Sequence, residues 1–74
     1  MYKIEIEFLS KGNVTKKNIV GLLKRCFSIE KIYFIEKSRK VFMTLNFLPD
    51  AEQLEYMLNN NGYQISDIII EKKE

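Results

Sequence analysis

The chain has 74 residues, twelve of them Lys or Arg and ten Asp or Glu, leaving a net charge of +2. A chain this short buries only about 60% of the surface its unfolded form exposes, so one small domain is expected over residues 1–74. The charge balance is too weak and too evenly spread for nucleic-acid recognition by charge alone, and no apolar run reaches the roughly 18–20 residues of a membrane-spanning helix.

The N-terminal "YKIEIEFL" alternates strictly, with Tyr2, Ile4, Ile6 and Phe8 on one side and Lys3, Glu5 and Glu7 on the other. That period of two predicts a half-buried strand rather than a signal peptide, since acidic residues interrupt it and no small-residue cleavage site follows. After the turn "SKGN", Ile19, Leu22, Leu23, Cys26 and Phe27 recur with the spacing of one helix face, and Asn13 or Thr15 is the expected N-cap. "IEKIYFIEKS" and "KVFMTLNFL", joined by the polar "EKSRK", predict a hairpin; in its second strand Val41, Met43, Leu45 and Phe47 alternate with Phe42, Thr44 and Asn46. Pro49 ends that strand. Asp50 with Gln53 resembles a capping box, Ala51, Leu54, Met57 and Leu58 form the next apolar stripe, and Gly62 is the expected left-handed cap. "YQISDIII" predicts a last strand and "EKKE" a solvated tail.

The order β-α-β-β-α-β, closed by right-handed crossovers, predicts an α+β, ferredoxin-like sandwich: a four-stranded antiparallel sheet with two helices on one face. Its order and spacing resemble the heavy-metal-associated domain of copper chaperones and metal-pumping ATPases. The likeness is carried by "IEKIYFIEKSRKVFMTLNF" and by "LEYMLNNNGYQIS", where the pair Gly62–Tyr63 follows the second helix. The chemistry of that family lies in a Cys-x-x-Cys between first strand and first helix, where two thiolates hold a soft ion. Laid over this chain, those cysteines fall at about Asn13 and Lys16, so the resemblance implies the scaffold without its thiolate site and no metal cofactor.

Candidate functional residues are few. No histidine is present, which removes the usual general base and the commonest metal ligand, so no enzyme is expected. The single cysteine, Cys26, excludes an internal disulfide and suits a reducing cytoplasm. On the helix stripe it reads as a buried small hydrophobe. A soft-metal carrier with unconventional ligands would draw on Cys26 with methionines such as Met43 and Met57, or on a thiol shared across a dimer. The loop Gly12, Asn13, Thr15, Lys16 and Lys17, at a helix start, is a candidate anion site. An RNA-binding sheet is disfavoured: Phe42 fills one aromatic slot, but Thr44 fills the other and Glu5 and Glu7 repel phosphates. Tyr33, Ile35 and Phe42, pointing away from the helices, form a candidate protein-contact patch. The expected function is a non-catalytic binding module near metal transport. Its partner would be a protein or a second copy, met through the sheet face or the second-strand edge, most simply in a symmetric dimer with those edges antiparallel.

Overall fold

The computed structural model describes residues 1–9 and 15–72; Gly12 and Asn13, in the expected anion loop, lie outside them. The elements run β1 (Tyr2–Phe8), α1 (Lys16–Cys26), β2 (Lys31–Ile35), β3 (Lys40–Leu45), α2 (Ala51–Asn60) and β4 (Ile65–Lys72). The class is α+β, with four strands in one antiparallel sheet of order β2-β3-β1-β4. β1 therefore sits inside the sheet, and β2 and β4 form its edges.

The alternation of β1 sets the burial. Ile4 and Ile6 are fully buried and Phe8 almost so, while Lys3, Glu5 and Glu7 face the other way. On β3, Val41 opposite Ile6, Met43 opposite Ile4 and Leu45 opposite Tyr2 are buried on the same side. Ile19, Leu22 and Leu23 of α1 and Leu54 and Leu58 of α2 join them in a single cluster, so both helices close one core against one sheet face. Each leucine or isoleucine buried in this way contributes about 1.5–3 kcal/mol relative to exposure.

The caps follow from local chemistry. Thr15, extended at φ −117° and ψ 156°, accepts a 3.3 Å bond from the Asn18 N–H at the start of α1. Asp50 accepts from the N–H groups of Glu52 and Gln53 at 2.9 and 3.4 Å. At the end of α2 the Gly62 N–H reaches the Asn59 carbonyl at 3.0 Å and the Tyr63 N–H reaches the Leu58 carbonyl at 3.0 Å. This is the pairing of a Schellman motif, with Gly62 at φ +90° and Tyr63 packed into the core beside Phe8, ring centroids 5.8 Å apart. The β2–β3 turn is tied to the end of β1: Arg39, at φ 53°, donates from Nε to the Phe8 carbonyl, and its own carbonyl accepts from the Phe8 N–H.

Several boundaries differ from the sequence reading. Cys26, expected inside, is exposed. It is the last helical residue, and the chain turns extended at Phe27, which with Ile29 packs against the core at that end. β3 stops at Leu45; Phe47 leaves the strand and stacks on Phe27 at 6.2 Å. Ala51, placed in the α2 stripe, is exposed in the first turn. Tyr63 and Gln64, expected to open the last strand, precede it, because the α2 cap uses Tyr63. Glu71 and Lys72, expected in a solvated tail, are in β4 and pair with Lys3 and Tyr2.

A core closed by side chains alone has no need of a metal staple. The melting curve is therefore expected to be unchanged by a chelator, while Leu23→Ala, at a fully buried site, lowers unfolding free energy by about 2–5 kcal/mol in denaturant titration. A loss under about 0.5 kcal/mol, the range of surface changes, would contradict the assigned helix face.

Gly21 and Gly62 should respond in opposite directions. A Cβ at Gly21 meets nothing within 4 Å, so Gly21→Ala is expected to stabilise α1 by about 0.5–1 kcal/mol. Gly62→Ala, also free of clashes but at φ +90°, is expected to destabilise by about 1 kcal/mol or more, because the cost there is backbone strain. Thermal melts of the two variants read both signs.

Candidate functional site

Pairing across four strands arranges the sheet face opposite the helices in rows. Lys31, Thr44, Lys3 and Glu71 form one; Tyr33, Phe42, Glu5 and Ile69 the next; Ile35, Lys40, Glu7 and Asp67 the third. The face is therefore divided. Tyr33, Ile35 and Phe42 lie on its β2–β3 side, Glu5 and Glu7 on the β1 strip, and Asp67, Ile69 and Glu71 on β4.

Tyr33 and Phe42 are direct cross-strand partners, and their rings stack with centroids 5.2 Å apart and planes inclined by 19°. Such a pair stabilises the ladder by about 0.5–1.5 kcal/mol beyond the area it buries. It does not bury itself: Tyr33 keeps 56% of its surface exposed, and Ile35, two residues along the same side of β2, keeps 41%. The three expected patch residues are thus brought together on one face at one edge. A depression of about 200 Å³ lies against the stack, lined by Lys3, Lys31 and Thr44 as well as the two rings. Lys40 Nζ lies 3.3 Å from Glu5 Oε2, a diagonal ion pair that holds the Glu5 carboxylate beside the aromatic row. Both side chains are partly exposed, so the pair contributes a few tenths of a kcal/mol and chiefly orients them.

The other expected site residues do not converge. Thr15 uses its hydroxyl as the α1 cap, and Lys16 and Lys17 are exposed in the first turn, which carries no acidic residue. Met43 is buried within β3 and Met57 half-buried on α2, while Cys26 is exposed at the end of α1, so the sulfurs occupy unlike environments. Among the described residues no three of Cys, Asp and Glu gather as a metal cluster would require, and no helix is long and apolar enough to cross a membrane.

Two features escaped the sequence reading. Ile69, in the isoleucine run of β4, is 41% exposed on the open face, in the same row as Tyr33 and Phe42. Its place in that row is set by strand pairing and could not be read from β4 alone. A groove of about 290 Å³ also runs between α1 and the end of α2, lined by Lys17, Asn18, Gly21, Arg25, Asn61 and Tyr63. Its signal was present: Lys17, Gly21 and Arg25 recur every four residues, one helix face whose middle position has no side chain.

No family model, curated protein or solved structure matches the chain. The open face and its β2 edge therefore stand as the candidate site on their geometry.

The exposed thiol gives a direct check of the α1 boundary. Cys26 is expected to react fully with a small disulfide reagent under native conditions, at a rate close to that of the denatured chain. Protection until the protein unfolds would return Cys26 to the core.

Proposed function

We propose that this chain is a non-catalytic binding module on a ferredoxin-like scaffold similar to the heavy-metal-associated domain, without that family's thiolate site, working through protein contacts beside metal transport. The observation that carries the contact reading is the Tyr33–Phe42 stack with Ile35, an apolar patch placed on an exposed strand edge. Isolated apolar residues on a surface are ordinary; neighbours that form a patch beside unpaired backbone groups suit recognition by another chain. The link to metal transport rests on the order of elements and on Gly62–Tyr63 after α2, here the closing residues of a Schellman cap.

Lys16 stands at about one of the family's cysteine positions and carries a positive charge, which opposes a bound cation. Cys26, the only thiol in the chain, is at the far end of α1. A soft ion prefers two or more thiolates or thioethers; Met43 is buried in β3, whereas Cys26 is exposed.

Titration with Cu(I) and with Zn(II), following Cys26 labelling, separates a contact module from a metal carrier. The expected result is no stoichiometric binding at sub-micromolar metal and an unchanged labelling rate. Stoichiometric binding with Cys26 protected would replace this reading by that of a carrier.

A further inference from the structure

The sheet has two edges, and their residues fit one another. Resting on the reading of the β2 edge as a protein-contact surface, we infer that its occupant is strand β4 of a second copy of this chain, joined head to tail with Lys31 opposite the next copy's Glu71.

Topology permits this without turning a copy over. β2, β3, β1 and β4 alternate in direction, so a further β2 in the same orientation runs antiparallel to β4 and keeps the helices on the same side. Facing residues of an antiparallel pair share a face of the sheet. Lys31, Tyr33 and Ile35 must therefore meet Glu71, Ile69 and Asp67, the open-face residues of β4. In the register that keeps the three rows in line, Lys31 faces Glu71. Ile32 then faces Ile70, Tyr33 faces Ile69 and Phe34 faces Ile68. One ion pair at one end and three apolar pairs in the middle leave one mismatch, Ile35 against Asp67, at the other end. Glu30 lies just outside the strand, its N–H bonding at 3.0 Å the carbonyl of Thr44, the residue that Lys31 already pairs with, so Lys31 is the first ladder residue.

The alternatives lose the ion pair or place like charges together. Strand β2 holds no acidic residue, so a symmetric pair of β2 strands leaves Lys31 without a carboxylate; centred on Tyr33, it sets Lys31 against Ile35 twice. A symmetric pair of β4 strands centred on Ile69 sets Asp67 against Glu71 twice. Sliding β4 along β2 by two residues puts Ile69 against Lys31, or Glu71 and Lys72 against Tyr33 and Ile32. The sequence-based expectation of a symmetric β2 dimer is disfavoured on these grounds. With a twist of roughly 20–25° per strand, each copy turns about 80–100° from the last, so the assembly grows as an open screw rather than closing as a pair.

Sedimentation equilibrium from about 10 μM to about 1 mM tests this. The wild-type mass is expected to rise continuously with concentration, without a plateau at two chains. Lys31→Glu and Glu71→Lys each lower the association constant roughly tenfold by turning an attractive pair into a repulsive one. An equimolar mixture of the two variants, and the double variant, recover wild-type behaviour because opposite charges again face each other. Circular dichroism checks that each variant is folded; if a reversal unfolds, Lys31→Gln and Glu71→Gln carry the same comparison. A wild-type chain that stays monomeric, a mass that levels off at two, or a Glu71→Lys variant that associates like wild type overturns the inference. The contact-module reading survives each of those results, since a foreign chain can fill the β2 edge, and fails instead on the metal titration.

Discussion

The structure depends on β1 being apolar on one side only. Like β3 it has neighbours on both sides, and because these are β3 and β4 its register is passed to both. Had Lys3, Glu5 and Glu7 been apolar, the sheet would need cover on both faces, and the chain's two helices cannot supply it. With Ile4, Ile6 and Phe8 inward, a slip of one residue would exchange the buried set for three charged side chains. That penalty fixes which residues of β3 and β4 face the helices. It also fixes which are left outside.

What is left outside follows from size. Four strands give two edges, so half of the strands in this domain carry backbone groups without a sheet neighbour on one side. Larger sheets dilute this fraction, and barrels remove it. Here both edge strands are apolar at the centre, "IYFI" in β2 and "III" in β4, the latter flanked by Asp67 on one side and Glu71 and Lys72 on the other. Neither centre holds a lysine or proline to block pairing. The control of association therefore rests with the end charges.

Much of this was legible in the sequence because it is local. The period of β1, the β2–β3 hairpin, the Asp50 cap and the glycine after α2 are each written within a few residues, and the Tyr33–Ile35–Phe42 patch follows from alternation plus the hairpin. The errors fell where local pattern meets tertiary contact. Cys26 continues the helical stripe, but the helix ends there and Phe27 takes the packing position. Glu71 and Lys72 look like a solvated tail by composition, yet Lys3 and Tyr2 are available to pair with them. The correspondence between β2 and β4 was hidden for a deeper reason: it needs the strand order and both registers before any residue can be set opposite another.

Those end charges supply discrimination more than adhesion. Specificity is a difference between pairings, set as much by what is repelled as by what is attracted. The apolar centres cannot tell β2 from β4, since an isoleucine packs about as well against either. What separates the pairings is order along the strand. β2 runs from Lys31 to Ile35 and holds no acidic residue, so pairing with its own copy gives Lys31 no carboxylate. β4 carries Asp67 and Glu71 on the open face and no lysine there, so pairing with its own copy gives Glu71 no cation. Antiparallel pairing sets the start of one strand beside the end of the other, and in the register that aligns the rows Lys31 meets Glu71 on the same face. A lysine at the beginning of one edge and a glutamate at the end of the other favour the unlike pairing over either like one.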